Sequence, residues 1–415
     1  MTYGRTRVVH LFANHKLTGP AELALDTARF VHESGRSFGT GSGSDNGNGN
    51  GKNSLEGIFV PGWHPDDPEW VADLARERGV PMVEEPGLHL SKHFYPVRTV
   101  RSALALRRYF RREQIDLVHC HMPNDHLVAT MARSLGTAGR EIPIVRTIYD
   151  GEAIPVGWRQ RWTLSKSCDH LIYFSRNLDE VLERDLGIAP ERRSRLDPPI
   201  DTVRFQPDEN VRARGREQLG IDASSFVVGI VARMQTHRRF EVLLDAIKRT
   251  AAALPDFRFV IIGRGTHQEK VAFEPVRKMG LDATVVFSGY RSGDDYVATL
   301  QSLDAKIFLV PGSDGTCRAV REALACGIPL IAANRGMLPE IVRDGQTGKI
   351  IEDTAENLSA AMIELATDRE RLNSMATASR QDAEQRFSYE RYINAILDVY
   401  ARVLGRSSAP LDGSV

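Results

Sequence analysis

The sequence has few cysteines and no long hydrophobic runs. Four cysteines occur in 415 residues, none of them in a Cys-x-x-Cys pair, and they are Cys120, Cys168, Cys317 and Cys326. This excludes a disulfide framework and a zinc site of the paired-cysteine type, and it favours reduced thiols. Apolar runs such as 227–232 are far shorter than the roughly 20 residues that span a bilayer, and no secretory signal is recognisable before His15. We therefore expect a cytoplasmic protein that is at most peripheral to the inner face of a membrane.

The sequence also lacks an excess of charge of either sign. Its 54 basic and 54 acidic residues give a formal net charge of zero, which argues against nucleic acid as a partner, because nucleic-acid-binding proteins present a basic surface. Lysine is scarce, since nine of the basic residues are Lys and the other 45 are Arg. Arginine binds phosphate or carboxylate through two parallel hydrogen bonds, although genomic composition alone produces the same bias.

Short apolar segments alternate with amphipathic ones, and the pattern occurs twice. The predicted strands are 7–12, 58–61, 117–120, 144–147, 170–174, 227–231, 258–262, 284–288, 306–310 and 329–332. The predicted helices are 21–34, 97–113, 125–135, 240–254, 318–325 and 355–367. Continuous apolar strands between helices are typical of parallel sheets covered on both faces, so we predict an α/β fold of two doubly wound, Rossmann-like domains. Two such domains in tandem predict a ligand cleft between them, at the carboxyl ends of their strands.

The length also predicts two domains, and a proline-bearing stretch at 196–207 separates the two patterns. We place the N-terminal domain at 1–205, with a flexible loop of Gly, Ser and Asn at 38–54, and the C-terminal domain at 206–386. A helix is predicted at 387–404, and the tail 405–415 is expected to be disordered.

The segment 311–327 has the strongest signal for a binding site. It follows a predicted buried strand and leads directly into an amphipathic helix, with Asp314 and Gly315 just before that helix. Unpaired N–H groups at a helix start attract an anion such as a diphosphate, and Glu322, further along the helix, can accept hydrogen bonds from ribose hydroxyls. The alternative from spacing alone is that Asp314 only caps the helix and Glu322 is an exposed helix residue.

The same segment resembles the E-x7-E motif of family-four retaining glycosyltransferases, with Asp314 in place of the first Glu and Glu322 as the second. Other segments resemble further elements of that family in the same order, namely 199–207, 259–265, 286–290 and 336–348. The resemblance covers most of residues 197–350. It implies the GT-B fold, in which two Rossmann-like domains face each other across a cleft and a C-terminal helix crosses back to the N-terminal domain. The alternative for that helix is that it caps its own domain.

The resemblance implies that this segment binds a nucleoside-diphosphate sugar. Asp314 would contact hydroxyls of the donor sugar, and Glu322 would hold the ribose. The backbone amides of Gly315, Thr316 and Cys317 would hold the diphosphate or the edge of the sugar.

A cationic element at 231–240 resembles the family segment in which Arg and Lys neutralise the donor diphosphate. Arg233 is retained, Arg238 takes the Lys position, and Arg239 replaces a glycine. Such cations stabilise the negative charge that develops on the leaving group. The alternative is that Arg238 and Arg239 are solvated loop residues, and for Arg239 we expect that alternative.

Base recognition is expected near Gly289, Tyr290 and Arg291, where relatives contact the base largely through backbone atoms. Gly263, which follows a strand predicted in the same sheet, is a further donor-binding candidate. On the N-terminal side the family has two adjacent glycines facing the diphosphate. In this sequence Gly19 and Pro20 occupy those two positions, and the proline removes one N–H donor.

Histidines end the strand predicted at 117–120. By the resemblance, His121 occupies the position of a histidine near the transferred sugar, although a histidine at a strand end is also a common structural residue. We expect His119 to face the opposite way and to be part of the core. Arg146, Tyr149 and Asp150 follow the next strand and are expected to contact the acceptor, or Arg146 and Asp150 pair with each other.

We therefore interpret the chain as a hexosyltransferase that moves a sugar from a nucleoside diphosphate to an acceptor hydroxyl with retention of configuration. A UDP-sugar is the expected donor, with a GDP-sugar next, and a saccharide or lipid-linked acceptor of cell-envelope synthesis is expected. His, Asp and Glu do not cluster at metal-ligand spacing in the sequence, so no metal and no cofactor are expected. The alternatives are a nucleotide-sugar epimerase or hydrolase on the same fold, or a non-catalytic nucleotide-sugar-binding protein.

Overall fold

The computed structural model describes residues 6–34, 55–64, 68, 70–83, 85–136, 141–150, 154, 157–310 and 317–405. The predicted loop at 38–54 and the tail after residue 405 lie outside these residues, as do Asp314, Gly315 and Thr316. The chain divides into two compact units, one formed by Met1–Asp197 with Tyr392–Val415 and the other by Pro198–Arg391.

The first unit has a six-stranded parallel sheet in the order β2-β1-β3-β4-β5-β6. Its strands are β1 (Thr6–Leu11), β2 (Leu55–Val60), β3 (Leu117–Cys120), β4 (Ile144–Thr147), β5 (His170–Tyr173) and β6 (Arg193–Arg195). Its α-helices are α1 (Gly19–Ser34), α2 (Trp70–Glu77), α3 (Pro96–Glu113), α4 (Pro123–Ser134) and α5 (Trp158–Gln160). Shorter π or 3₁₀ turns occupy Arg161–Lys166, Arg176–Leu178, Val181–Asp185 and Pro190–Arg192.

Helices cover both faces of this sheet. On one face, Val9 and Val118 of the strands pack with Leu106 and Phe110 of α3 and Val128 of α4. On the other face, Phe12 and Phe59 pack with α1 and α2. This two-sided burial explains why the strands are apolar throughout.

The second unit has a parallel sheet in the order β12-β11-β10-β7-β8-β9. Its strands are β7 (Phe226–Val231), β8 (Phe257–Ile262), β9 (Val285–Gly289), β10 (Ala305–Phe308), β11 (Leu330–Ala333) and β12 (Gly348–Ile351). Its α-helices are α6 (Glu209–Leu219), α7 (Phe240–Ala253), α8 (Glu274–Lys278), α9 (Gly293–Gln301), α10 (Arg318–Ala325), α11 (Leu338–Ile341), α12 (Ala355–Thr367) and α13 (Arg369–Phe387). A π turn at Glu269–Phe273 and a 3₁₀ turn at Thr236–Arg238 complete it.

Both strand orders are those of doubly wound folds, so the predicted fold class is confirmed. The second sheet has the 3-2-1-4-5-6 order of dinucleotide-binding domains, and the first begins with the 2-1-3-4-5 order of flavodoxin-like domains. Each order reverses at one place, between β1 and β3 in the first sheet and between β7 and β10 in the second. Ligands of such folds bind at this switch point, at the carboxyl ends of the strands.

The last helix, α14 (Tyr389–Val403), starts in the second unit and belongs to the first unit from Tyr392 onward. Its Tyr392 and Tyr400 are buried there. The prediction that the C-terminal helix crosses back to the N-terminal domain is therefore confirmed. None of the helices in the described ranges is long and apolar enough to cross a membrane.

Candidate functional site

A cavity of about 830 Å³ opens at the switch point of the second sheet. It lies at the carboxyl ends of β7, β8 and β10, next to the start of α10. Its lining residues are Val231, Ala232, Arg233, Gln235, Arg238, Ile262, Gly263, Arg264, Gly265, Thr266, Gln268, Tyr290, Phe308, Cys317, Arg318 and Ala319.

Cations dominate the charge of this cavity. Four of the lining side chains are guanidinium groups, on Arg233, Arg238, Arg264 and Arg318, and among the described lining residues none is acidic. Guanidinium forks match the oxygens of phosphate groups, so the cavity suits an anion with several oxygens.

Arg238 is the most constrained of the four arginines. Its Nη1 donates a hydrogen bond to the carbonyl oxygen of Val310 at 2.8 Å, while its Nε is buried without a partner among the described residues. Burial and then the positive charge of Arg233 lower the pKa of Arg238 from its usual value. An anion placed between Arg233 and Arg238 would offset the repulsion between their charges and could accept a hydrogen bond from the unpaired Nε of Arg238.

Arg239 is directed elsewhere. It donates to Asp353 at 2.9 Å and to Glu241 at 3.1 Å, and it does not line the cavity. Arg239 has a φ of 59°, in the left-handed region that glycine adopts at little cost. A glycine would adopt this backbone conformation without strain, in line with the glycine of the family segment that this stretch resembles. The Arg239 side chain forms ion pairs instead of remaining simply solvated.

Two glycines let the loop after β8 approach the loop after β7. A β-carbon on Gly263 would overlap the carbonyl oxygen of Ala232, and one on Gly265 would overlap that of Met234. Since both loops line the cavity, any larger residue at these positions would push its walls apart.

Tyr290 lies at the edge of the same cavity, with 64% of its surface exposed. The guanidinium of Arg264 lies 5.0 Å from the centre of its ring. The pair offers a flat surface of the kind on which a nucleobase stacks. Arg291 follows it in the chain and does not line the cavity.

Helix α10 begins at the cavity, directly after the undescribed segment that contains Asp314, Gly315 and Thr316. Cys317 is its N-cap residue, with a φ of 46°, and is buried. The start of α10 therefore presents the positive end of the helix dipole to the cavity.

Glu322 is buried within α10 and already has partners. Its carboxylate accepts hydrogen bonds from the Tyr296 hydroxyl at 2.5 Å and from the Arg318 Nε at 2.9 Å. Because Arg318 lines the cavity and Glu322 does not, Glu322 meets the cavity through this arginine in the present structure. Below them lies Lys306, fully buried, which donates to the carbonyl oxygen of Ala319 and whose pKa burial lowers to about 8.

Three buried histidines lie at the switch point of the first sheet. His10 of β1 pairs in register with His119 of β3, and His121 follows β3 on the same side. The rings of His119 and His121 stack with centres 4.2 Å apart, and all three histidines are fully buried. The expectation that His119 faces the opposite way from His121 is wrong, because residues two apart at a strand end point to the same face. The expectation that His119 is a core residue is confirmed.

Hydrogen bonds join these histidines to two tyrosines and a threonine. The sequence of contacts is Tyr149 hydroxyl to His121 Nδ1 (2.6 Å), His121 Nε2 to His10 Nδ1 (3.1 Å), His10 Nε2 to Tyr400 hydroxyl (3.4 Å), Tyr400 hydroxyl to His119 Nδ1 (2.6 Å) and His119 Nε2 to Thr147 hydroxyl (2.7 Å). If each imidazole is neutral, every group in this chain can donate to the next one in a single direction. We name this set of six residues the histidine network.

Burial keeps the network neutral. It lowers the pKa of His10 to about 3 and lowers the pKa values of His119 and His121 well below their usual range. One nitrogen from each of the three histidines lies within 4.8 Å of the others, which is compatible with metal ligation and was not visible from sequence spacing. All six ring nitrogens have hydrogen-bond partners, however, so a metal ion would have to replace contacts that the side chains already make.

Arg146 and Asp125 lie next to the network. Asp125 accepts hydrogen bonds from the backbone N–H groups of Ala13 and Met122, and Arg146 Nη1 lies 3.7 Å from its carboxylate. Burial raises the pKa of Asp125 to about 7, against the effect of Arg146 and of those N–H groups. Arg146 thus pairs with Asp125, whereas the sequence suggested Asp150, which is exposed.

Of the three residues predicted to contact the acceptor, Asp150 is exposed, whereas Tyr149 and Arg146 are buried. Gly19, which was predicted to face the donor diphosphate, is the first residue of α1. Tyr296, Arg264, Tyr400 and Asp125 were not among the predicted site residues. The position of Arg264 between two glycines at a strand end could have indicated a role in the site. The other three show no such pattern in the sequence, because only the fold brings them close to their partners.

Comparisons with known proteins identify relatives of this chain. The sequence model of the family described as Glycosyl transferases group 1 matches residues 211–382, and that of Glycosyltransferase Family 4 matches residues 58–204. The D-inositol 3-phosphate glycosyltransferase of Rhodococcus jostii is 30% identical over 306 residues, which are 69% of this chain and 66% of that protein. A GDP-mannose-dependent alpha-(1-6)-phosphatidylinositol monomannoside mannosyltransferase of Mycolicibacterium smegmatis is 30% identical over 194 residues, which are 45% of this chain and 50% of that protein.

Among solved structures, the Anabaena protein HepE in complex with UDP is similar to this chain with a TM-score of 0.75. The match covers 96% of this chain and 100% of HepE at 16% sequence identity. At that identity the similarity establishes the shared fold.

Proposed function

The chain belongs to glycosyltransferase family 4 and has the GT-B fold, and on that premise we propose that it transfers a sugar from a nucleoside diphosphate to an acceptor hydroxyl. The proposal includes retention of configuration at the anomeric carbon and independence from a metal ion. It makes the protein a hexosyltransferase, acting in the cytoplasm in the synthesis of cell-envelope polysaccharide or glycolipid.

The observation that carries the proposal is the cavity at the second switch point. It combines four guanidinium groups, no acidic group among its described lining residues, and the start of α10. A nucleoside diphosphate is a leaving group with two phosphates, and its negative charge grows as the bond to the sugar breaks. Fixed cations in a cavity stabilise that charge without reorganising water, which is the largest single effect in many enzymes.

The residues of the cavity divide the work. Arg233 and Arg238 hold the diphosphate and stabilise it as it leaves. Arg264 and Tyr290 stack on the base, while Arg318 links the ribose region to Glu322. Asp314 orients the sugar hydroxyls, and the amides of Gly315, Thr316 and Cys317 hold the neighbouring phosphate or sugar edge. In a retaining transfer of this kind, the departing phosphate receives the proton of the acceptor hydroxyl.

The donor is proposed to be a UDP-sugar first and a GDP-sugar second. HepE was solved with UDP, and one of the relatives is named as dependent on GDP-mannose, so both bases belong in the test. An acceptor hydroxyl on an inositol phosphate, on a saccharide or on a lipid-linked form is supported by the names of those relatives. Because the aligned chain spans 66% of the first of these relatives, its substrates are carried over only as candidates.

The test is a transfer assay with purified full-length protein, UDP-glucose, UDP-N-acetylglucosamine and GDP-mannose as donors, and inositol 3-phosphate and phosphatidylinositol as acceptors. Products are identified by mass spectrometry, and the anomeric proton coupling in NMR reports the configuration. Transfer that continues in excess EDTA supports metal independence. Wild-type rates in both Arg233→Ala and Asp314→Ala would contradict the proposal.

Two other outcomes define the alternatives. Free sugar or an epimerised donor formed without acceptor would make the protein a hydrolase or epimerase. Donor binding without turnover of any acceptor would make it a nucleotide-sugar-binding protein. Each outcome leaves the cationic cavity as the binding site but changes the reaction.

A further inference from the structure

The carboxylate of Glu322 lies behind the wall of the cavity at the second switch point, where two side chains hold it. The hydroxyl of Tyr296 on α9 donates a hydrogen bond to Oε2 at 2.5 Å, and Nε of Arg318 donates one to Oε1 at 2.9 Å. The side chain of Glu322 is 7% exposed, whereas that of Arg318 is 39% exposed and lines the cavity. Arg318 therefore stands between the carboxylate and the cavity.

The pair of Arg318 with Glu322 is oriented unfavourably within its helix. Arg318 is the first residue of α10, and Glu322 follows it by one turn. A helix carries a partial positive charge at its start, so a cation in the first turn is destabilised there. A pair in which the cation precedes the acid is also weaker than the reverse order. Arg318 can therefore exchange this partner for an anion of higher charge.

The other cations of the cavity keep Arg318 on Glu322 while no anion is bound. Arg233, Arg238 and Arg264 line the same cavity, and positive charges repel one another where no anion lies between them. A diphosphate among these guanidinium groups reverses that effect, because it attracts all four of them. Two phosphates also carry more negative charge than one carboxylate, and guanidinium forks match their oxygens.

Glu322 keeps two other partners if Arg318 moves away. The ring of Tyr296 packs edge-on against that of buried Phe205, with ring centres 6.2 Å apart, which fixes the hydroxyl beside Oε2. Lys306 lies below α10; burial lowers its pKa to about 8, and the charge of Glu322 acts in the opposite direction. The carboxylate thus retains a hydrogen-bond donor and a nearby cation, so its exposure to the cavity does not leave a buried charge unbalanced.

We propose that Arg318 exchanges Glu322 for the diphosphate when a nucleoside diphosphate enters the cavity. The movement uncovers Oε1 of Glu322, which then accepts hydrogen bonds from the ribose hydroxyls. The inference rests on the proposed function, because it takes the ligand to be a nucleoside diphosphate and Glu322 to be its ribose contact. The link that Arg318 makes to Glu322 belongs to the free protein.

The exchange makes recognition of the ribose depend on the diphosphate. A nucleoside has the same hydroxyls but no phosphate, so it leaves Arg318 on Glu322 and its hydroxyls add little to its affinity. In a nucleoside diphosphate the same hydroxyls meet an uncovered carboxylate. Arg318 is therefore a specificity residue that selects against nucleosides and other neutral ligands.

Binding measurements on the full-length protein test this dependence. Calorimetry and NMR titration give dissociation constants for UDP, uridine and their 2′,3′-dideoxy forms, and for the corresponding guanine compounds. In the wild type, loss of the two hydroxyls should weaken binding of the nucleoside diphosphate about tenfold or more, as for hydrogen bonds to a charged group. The same loss should change the affinity for the nucleoside by less than about twofold, because Glu322 is still covered.

Two variants at cavity arginines separate the exchange from a general loss of positive charge. In Arg318→Ala nothing covers Glu322, so the hydroxyls should contribute by a similar factor to the nucleoside and to its diphosphate. Arg233→Ala is the matched control, because it removes one cation from the same cavity but leaves Arg318 on Glu322. It should weaken binding of UDP or GDP while the hydroxyls still contribute only in the diphosphate.

Inorganic pyrophosphate gives a second readout without a covalent link between the two parts of the ligand. Added separately, it should draw Arg318 away from Glu322. It should then strengthen binding of uridine more than binding of 2′,3′-dideoxyuridine in the wild type. In Arg318→Ala it should have the same effect on both nucleosides.

Different results would contradict the exchange and the proposed function. Equal hydroxyl contributions to nucleoside and diphosphate in the wild type would overturn the exchange, as would a dependence that survives in Arg318→Ala or disappears in Arg233→Ala. Failure of both UDP and GDP to bind would contradict the proposed function and the exchange with it. The expected pattern of binding without any sugar transfer would support the exchange and contradict only the reaction. Melting temperatures check that each variant is folded, and Arg318→Gln replaces Arg318→Ala if the latter is not.

Discussion

The two sheets use their switch points in opposite ways. At the β7/β10 switch point the chain leaves a cavity of about 830 Å³ lined with permanently charged guanidinium groups. At the β1/β3 switch point it places three buried histidines, hydrogen-bonded to Tyr149, Tyr400 and Thr147. The same topology therefore supports two uses of a switch point. One is a charged site that can bind a ligand, and the other is a buried polar network whose groups are hydrogen-bonded within their own unit.

The comparison predicts that acid should affect the first unit most. His10 and the nearby buried His126 both have pKa values lowered by burial to about 3, whereas unfolded histidine titrates near 6.5. Below pH 6.5 the unfolded chain binds protons that these two folded histidines refuse, so they lower the stability as pH falls. Asp125 partly offsets them, because its folded pKa of about 7 lets the folded chain bind a proton that the unfolded carboxyl releases. Each of the two histidines should cost about 2 kcal/mol between pH 8 and pH 5.

Urea denaturation at pH 8, 6.5 and 5 measures this loss. His126→Leu removes one of the two histidines and should reduce the dependence on pH, while the exposed His237→Leu should not. A His126→Leu variant with the same dependence on pH as the wild type would show that burial does not keep His126 neutral.

Removing one cation from the cavity of the second unit should lower the rate of transfer. We expect Arg238→Ala to lower kcat/KM for donor by about 10²- to 10³-fold, as for loss of one preorganised donor to a developing anion. Arg239→Ala is the matched control, because it removes the adjacent arginine, which pairs with Asp353 outside the cavity. Steady-state kinetics and donor titration calorimetry measure both variants, and equal losses would place the diphosphate elsewhere.

Removing the hydroxyl of Tyr400 should test how far the stability of the histidine network depends on complete hydrogen bonding. Tyr400→Phe leaves His119 Nδ1 without its 2.6 Å partner in a fully buried site, which should cost about 2 kcal/mol of unfolding free energy. Tyr392→Phe, on the same helix, loses only a 3.3 Å contact to Thr27, whose hydroxyl also bonds to the Leu23 carbonyl. It should cost clearly less, and equal costs would mean that the short contact contributes nothing specific.

The smallest effect concerns the backbone beside the cavity. Arg239→Gly and Arg239→Ala both lose the pair with Asp353, so their difference isolates the strain of a φ of 59°. We expect the glycine variant to be more stable than the alanine variant by about 1 kcal/mol. Thermal denaturation of the pair measures it, and a more stable alanine variant would refute the strain.

The sequence was sufficient for most of the fold and for half of the site. All ten predicted strands are present, because a strand buried on both faces needs a continuous apolar run. The strands β6 and β12 were missed, since Arg193–Arg195 is polar and Gly348–Ile351 begins with Gly and Lys at a sheet edge. Both are short strands of three or four residues that are incompletely buried, so their apolar pattern is weaker than that of the longer edge strands β2 and β9.

Residues were predictable where the chemistry lies in one segment and unpredictable where it is assembled from several. Arg233 and Arg238 line the cavity as their local motif suggests. The partners of His121 are His10, from 111 residues earlier, and Tyr149, which follows the next strand of the sheet, β4. Only the register of β1 with β3 brings them together, and no spacing rule contains that register.

The position of α14 affects how the chain folds during synthesis. The second unit, Pro198–Arg391, is continuous and can fold as soon as it leaves the ribosome, but the first unit waits for Tyr392 and Tyr400. Tyr400 lies 281 residues after its partner His119, an interval of some tens of seconds at about 5–20 residues per second. During that interval the buried histidines lack one of their hydrogen-bond partners, so the first unit stays incomplete until after the last residue of the second unit has been made.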